Sequence, residues 1–180
     1  MTQTTYLPLD VIYARICQEN GIEASSVEEA VSLLESLLDS EGVGQKKLAA
    51  ALIAVGWNHR KACHFEEAGH MLLQAVKYSR TSAFDMSRDT ARALWFLAEA
   101  HYVDGNFTVA RSVFWSAVKN FAKSVGLFDE EAQACMAEFA ELAEGFARDE
   151  DLAEEVDDII AFADFCESVG TDGHITVLAS

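Results

Sequence analysis

The chain has 180 residues with a single proline, and 51% of its residues are hydrophobic. This composition excludes a largely disordered chain and favours long helices, since almost nothing in it would interrupt them. Thirty acidic residues against 13 basic ones give a formal net charge of −17, which repels phosphate backbones and anionic lipid and argues against nucleic acid or a membrane as the main partner.

Eight helices are predicted along the chain, because apolar residues recur at spacings of three and four and turn signals separate the runs. The clearest breaks are residues 20–21, 41–44 and 104–106, which are rich in glycine, and Ser26 with Glu29 forms a capping box before an apolar run. The predicted helices cover residues 8–20, 27–40, 45–62, 65–80, 85–103, 107–124, 128–147 and 151–168.

The apolar pattern repeats with a period of 42 residues. Sliding the chain by one period superimposes residues of the same character: Leu52 and Leu94, Val55 and Leu97, Gly56 and Ala98, His59 and His101, Phe65 and Phe107, Ala68 and Ala110, Leu72 and Phe114, Ala75 and Ala117, Val76 and Val118. Weaker copies precede and follow these two. Since each copy contains two helices, the fold is predicted to be all-α, with about four antiparallel helix pairs.

The second and third copies resemble tetratricopeptide repeats, in a long-helix variant, whose signature sets large, small and aromatic residues at fixed positions of a helix pair. The matching residues are Leu52, Val55, Gly56, His59, Phe65, Ala68, Leu72 and Ala75 in one copy, and Leu94, Leu97, Ala98, His101, Gly105, Phe107, Ala110, Phe114 and Ala117 in the next. The closing proline is missing, with Arg80 and Ala122 near its place, and the period exceeds the usual length of about 34. The match covers residues 45–122 and implies a right-handed solenoid, while a generic helical bundle is the alternative.

The small residues of the signature have a packing role in this interpretation. Gly56, Ala98, Ala68 and Ala110 are expected to let the two helices of a pair approach closely, with large residues filling the gaps beside them. Residues 1–170 are predicted to form one such domain. Residues 171–180 are predicted to be a C-terminal tail, because the pattern stops after Gly170.

In the family that this chain resembles, the first helix of each pair lines a concave groove. Carried over by position, the resemblance implies a groove lined by Trp57, Arg60, Lys61, Arg92, Trp95, Glu99 and Tyr102. Tryptophan, tyrosine and arginine often anchor interfaces. The chain is therefore predicted to be a protein-interaction module (an adaptor, chaperone or regulator) that binds an extended or helical peptide carrying carboxylates.

Helically spaced aromatic residues are also typical of a core. If the register slips by one residue, Trp57 and Trp95 would pack between adjacent repeats, and Arg60 and Lys61 would be ordinary solvated charges. A separate hypothesis is a self-assembling scaffold, a homo-oligomer in which unmatched repeat ends stack on copies of the chain. The acidic stretch of residues 149–158 is expected to form a polar cap at one end.

The chain contains no recognisable catalytic motif. His59, Cys63 and His64 form a cluster with ligand-like spacing, to which His70 could add a third ligand, but His59 is already explained as the counterpart of His101. A phosphate-binding glycine loop, an HExxH pattern and a GxSxG elbow are all missing from the sequence. We therefore expect no enzyme, no metal and no cofactor, and a metal- or thiol-dependent enzyme centred on His59 and Cys63 is the weakest hypothesis.

The four cysteines stand far apart, each within an apolar helical pattern. That distribution suits small buried side chains better than a disulfide framework. No apolar run approaches the roughly 20 residues needed to cross a bilayer, and residues 1–10 lack a basic stretch followed by an apolar one. These features predict a cytoplasmic protein.

Overall fold

The computed structural model describes residues 7–80 and 87–146, and within these ranges it contains seven α-helices and no strand. The helices are α1 (Leu9–Asn20), α2 (Val27–Leu38), α3 (Gln45–Lys61), α4 (Phe65–Ser79), α5 (Arg88–Val103), α6 (Phe107–Ser124) and α7 (Glu130–Phe146). The all-α prediction is confirmed, and the first seven predicted helices agree with these bounds to within three residues. The predicted helix over 151–168, the acidic cap and the tail lie outside the described residues.

Serine side chains cap the N-termini of α2 and α5. The Ser26 hydroxyl accepts a hydrogen bond from the Glu29 backbone N–H, and the Ser87 hydroxyl accepts one from the Thr90 N–H. The Glu29 carboxylate turns back to accept from the N–H and hydroxyl of Ser25. The predicted helix start is thus confirmed, with the reciprocal bond one residue earlier than in the usual capping box.

Three helices end in the same way at intervals of 42 residues. Gly21, Cys63 and Gly105 have φ angles of 61°, 62° and 81°, the left-handed conformation that ends a helix. In each case the next residue donates its backbone N–H to the carbonyl oxygen five residues earlier, over 2.9 Å: Ile22 to Cys17, His64 to His59 and Asn106 to His101. The period read from side chains is therefore present in the backbone as well.

The pairs α3–α4 and α5–α6 form the most extensive helix contacts, and α4 packs against α5. Gly56 allows α3 and α4 to approach closely, because a Cβ added there would lie 2.6 Å from Leu72 Cγ and 3.2 Å from the carbonyl oxygen of Ala68. In the next pair Ala98 and Phe114 are fully buried at the equivalent positions. The predicted role of Gly56 in close helix approach is confirmed.

Helix α1 departs from the predicted pairing. It packs against α3 and not along α2, and it runs antiparallel to α3, since Leu9 lies near Arg60 whereas Asn20 lies near Lys46. Ion pairs join it to α5 and α7 as well. The predicted first helix pair is therefore wrong, because α1 packs on the first helix of the next copy and is joined by ion pairs to the first helices of the copies after it.

Candidate interaction site

The structure places four of the seven predicted groove residues in the interior. Trp57, Arg92, Trp95 and Glu99 are buried, with exposed fractions of 3%, 1%, 0% and 7%. The predicted open face is wrong for these four, because α1 and the neighbouring helices cover them. Arg60 and Tyr102 are half-buried and Lys61 is exposed.

The two tryptophans are core residues that join different helices. The Trp57 ring meets Phe96 of α5 edge-on at 5.1 Å and lies 6.1 Å from the Tyr13 ring of α1. The Trp95 ring meets Phe121 of α6 at 6.0 Å. The alternative interpretation of these tryptophans, as packing residues, is therefore confirmed.

Arg92 is the centre of a buried ionic network. Its guanidinium donates to both carboxylate oxygens of Glu131 over 2.7 Å, and to those of Glu19 in α1 over 2.6 and 3.0 Å. Arg15 of α1 donates to Glu131 over 2.9 Å. Burial raises the pKa of Glu131, but the hydrogen bonds and charges of Arg92 and Arg15 outweigh that effect and hold the pKa below its usual value.

We call the surface beneath α1 the α1 face, defined by Trp57 and Asn58 of α3, Arg92 of α5 and Glu131 of α7. Asn58 donates a hydrogen bond to the Tyr13 hydroxyl, which in turn donates to the carbonyl oxygen of Ala24. The face thus combines an aromatic surface with one amide and one buried ion pair.

Arg60 is already paired inside the molecule. Its Nε donates to Glu99 over 2.8 Å, its second nitrogen also bonds that carboxylate, and the guanidinium lies 5.0 Å from the centre of the Trp57 ring. The positive charges of Arg60 and Arg92, two of the three on which the expectation of an acidic partner rested, are therefore neutralised by the chain itself.

At the N-terminal end of α1, residues 7–80 and 87–146 leave part of the face unfilled. A cavity of about 450 Å³ remains there between α1, α3, α5 and α7. Its charged lining consists of one guanidinium and four carboxylates, Arg60 with Asp10, Glu99, Glu138 and Glu141, and its apolar lining includes Leu7, Leu9, Trp57, Ala134 and Ala137. Three predicted groove residues, Trp57, Arg60 and Glu99, meet at this cavity.

Two polar groups at the cavity carry an electrostatic cost. Burial raises the pKa of Glu138 to about 7; the hydrogen bond from Trp95 Nε1, at 3.0 Å, opposes this, and the charges of Glu99 and Glu141 add to it. The indole N–H of Trp57 is buried without a hydrogen-bond partner. The carboxylates crowd one another, and an added positive charge would relieve that repulsion.

The structure brings together two side chains of the histidine cluster. The Nδ1 atoms of His59 and His64 lie 3.4 Å apart, and Cys63 is exposed. Within residues 7–80 and 87–146, no three histidine, cysteine, aspartate or glutamate side chains are arranged to hold a metal ion.

Three carboxylates were not predicted from the sequence: Glu19 and Glu131, which bind Arg92, and Glu138, which lines the cavity. A signal for Glu131 was present, since Lys46 and Arg88 are one period apart, as are Asp89 and Glu131. The structure pairs Lys46 with Asp89 at 3.2 Å and Arg88 with Glu131 at 4.0 Å. Charged residues of the same sign that recur at the period of 42 therefore predict ion pairs between the first helices of successive copies.

The described helices include none that is long and apolar enough to cross a membrane. Comparison with protein-family models, curated proteins and solved structures finds no match to this chain.

Proposed function

We propose that this protein is a protein-interaction module, a solenoid of tetratricopeptide-like helix pairs, which receives a lysine or arginine side chain of a partner protein in the cavity at the N-terminal end of α1. The solenoid assignment is supported by the three equivalent helix ends at Gly21, Cys63 and Gly105 and by the two equivalent ion pairs that link successive copies.

The observation that carries the proposal is the charge of the cavity. Arg60 is bound to Glu99 and acts on Glu138 only through its charge, so the lining holds one cation for the four carboxylates of Asp10, Glu99, Glu138 and Glu141. A volume of about 450 Å³ is within the usual range for ligand sites and is larger than the volume of one long side chain. The apolar lining suits the methylene stem of lysine or arginine, whose head would then meet the carboxylates.

This partner differs in charge from the acidic peptide expected from the sequence. That expectation counted Arg60, Lys61 and Arg92 as free cations, and Lys61 is exposed but does not line the cavity. Because Arg60 and Arg92 are paired within the chain, the remaining charge of the cavity is negative, in keeping with the formal charge of −17 for the whole chain. A basic segment is therefore favoured by the local and the long-range field alike.

The test is a titration of the full chain with capped tetra-arginine, followed through the three tryptophan indole N–H signals in a ¹H–¹⁵N spectrum. Trp57 lines the cavity and the Trp95 indole N–H donates to Glu138 of its lining, whereas Trp115 on α6 is not part of the lining and serves as the reference. We expect the first two signals to shift and the third to stay in place. Capped tetra-glutamate should shift none of them.

A matched pair of variants locates the binding. Glu141→Gln should weaken tetra-arginine binding by about threefold to tenfold, the effect of one lost charge partner. Glu35→Gln, on the exposed surface of α2, should leave the affinity unchanged. Equal shifts of all three indoles would mean diffuse charge attraction, and preferential binding of tetra-glutamate would restore the acidic partner.

A further inference from the structure

Helix α1 is held in place by the α1 face and not by its neighbour in sequence. It packs on α3, and its side chains reach Arg92 of α5 and Glu131 of α7, while α2 contributes little. Residues 21–26 connect it to α2. A helix attached in this manner can leave the rest of the fold without breaking a helix pair.

The form of α1 is that of a helical ligand seated in a groove. Leu9, Ile12 and Ile16 are buried in one stripe with spacings of three and four, while Val11 on the opposite side is 41% exposed. Glu19 supplies a carboxylate for Arg92, and Arg15 supplies a guanidinium for Glu131. These are the anchors by which helices are recognised in grooves.

Departure of α1 would not leave an unpaired buried charge on the α1 face. Arg92 and Glu131 bond each other through two hydrogen bonds of 2.7 Å that do not involve α1. If α1 moved away, Arg92 would lose Glu19 and Glu131 would lose Arg15, but each would keep the other. An isolated buried charge, the usual obstacle to such opening, is thereby avoided.

We infer that the α1 face is a docking site for an amphipathic helix of a partner protein, and that α1 is the internal competitor which occupies it when that partner is absent. The fitting helix carries apolar residues at the spacing of Leu9, Ile12 and Ile16, with a carboxylate three residues after the last of them. This site overlaps the cavity at Trp57, and the two cannot be occupied together, since the cavity requires α1 in place and the docking requires α1 displaced.

The tether makes α1 a strong competitor. A segment on a short connection acts at an effective concentration in the millimolar range, so a free helix of similar intrinsic affinity binds weakly until α1 is weakened. A variant with a poorer α1 should therefore bind the external helix more tightly than the unaltered chain does. A merely structural α1 would produce the opposite result, since weakening it would loosen the fold.

The experiment uses a fluorescent synthetic peptide copying residues 7–22, titrated by anisotropy with the full chain. Against Ile16→Ala, which removes one buried anchor of α1, we expect binding at least about tenfold tighter than against the unaltered chain. Val11→Ala, on the exposed side of the same helix, should stay within about twofold of the unaltered chain. A peptide carrying Glu19→Arg should bind at least about tenfold less tightly to Ile16→Ala.

Hydrogen exchange on the unaltered chain decides the matter even if Ile16→Ala unfolds. The amides of α1 should exchange at least about tenfold faster than those of α3 and α5, because α1 opens by itself. Exchange of all three helices at one rate would overturn the inference, as would a folded Ile16→Ala that binds the peptide no better than the unaltered chain. Neither result bears on tetra-arginine binding in the cavity, so the two proposals fail independently.

Discussion

Helices α1 and α3 end in the same backbone motif one period apart, yet they are held by different forces. Helix α3 packs along α4 through a contact so close that Gly56 has no room for a Cβ. Helix α1 lacks an equivalent pair and is held by three buried apolar residues and three ion pairs. Equivalent local sequence thus sets where a helix ends, while the surface it covers depends on which apolar and charged side chains face it.

The largest effect is expected at Arg92 of α5, which binds Glu19 of α1. Arg92→Ala would leave Glu131 buried with a weakened set of cationic partners and should lower the free energy of unfolding by about 3–5 kcal/mol, measured by urea denaturation. Arg15→Ala, which removes a half-exposed partner of the same carboxylate, should cost no more than about 1 kcal/mol. Equal losses in the two variants would contradict the central role of Arg92.

The close contact of the α3–α4 pair can be broken by one methyl group. Gly56→Ala should lower the free energy of unfolding by about 1–3 kcal/mol, because Leu72 and the backbone at Ala68 must shift to admit the Cβ. Gly69→Ala in α4 is the matched control, since a Cβ there would approach no atom closer than 4.0 Å. That variant should be more stable than the unaltered chain by up to about 1 kcal/mol, the ordinary gain within a helix. If Gly56→Ala proved stabilising, the close approach of α3 and α4 at Gly56 would not be what holds these two helices together.

The cavity between α1 and α7 predicts a pH dependence. The pKa of Glu138 is raised from 4.5 to about 7 in the folded protein, so the folded state binds this proton more tightly than the unfolded state. Stability from this group is therefore present at low pH and is lost as the pH rises from about 4.5 to about 7. Glu138→Gln removes that loss and should be more stable than the unaltered chain by about 1–2 kcal/mol at pH 8.

The measurement for Glu138 is the difference in unfolding free energy between the two chains across this pH range. Taking the difference removes the histidine contributions that both chains share. A difference that stays constant with pH would mean that Glu138 titrates normally. Tetra-arginine in the cavity should reduce the difference at pH 8, because a cation favours the charged carboxylate.

The smallest effect tests the helix end that α1 and α3 share. Cys63 adopts a left-handed φ of 62° where the other two copies have glycine, a conformation that costs a residue with a Cβ roughly 1 kcal/mol. Cys63→Gly should therefore raise the free energy of unfolding by about 1 kcal/mol, whereas Cys63→Ala should change it little. Equal behaviour of the glycine and alanine variants in thermal unfolding would show that the conformation carries no strain.

The sequence by itself determined the all-α class, the bounds of seven helices and the period of 42, because helix starts, helix ends and apolar spacing are properties of short segments. It also predicted Gly56 as a close-approach position. The left-handed conformation of Cys63 escaped prediction, although Gly21 and Gly105 stand at the equivalent positions and could have revealed it.

Only the tertiary structure decided which helix α1 covers, that Arg92 and Trp95 are interior, and that the unfilled part of the face is acidic. The physical reason is that each of these depends on pairs far apart in sequence, such as Glu19 with Arg92 and Trp95 with Glu138. A helical pattern tells which residues share a side of one helix, but not which other helix neutralises their charge. Arg60, which suggested an acidic partner, is bonded to Glu99 and lines the cavity for which we propose a basic one.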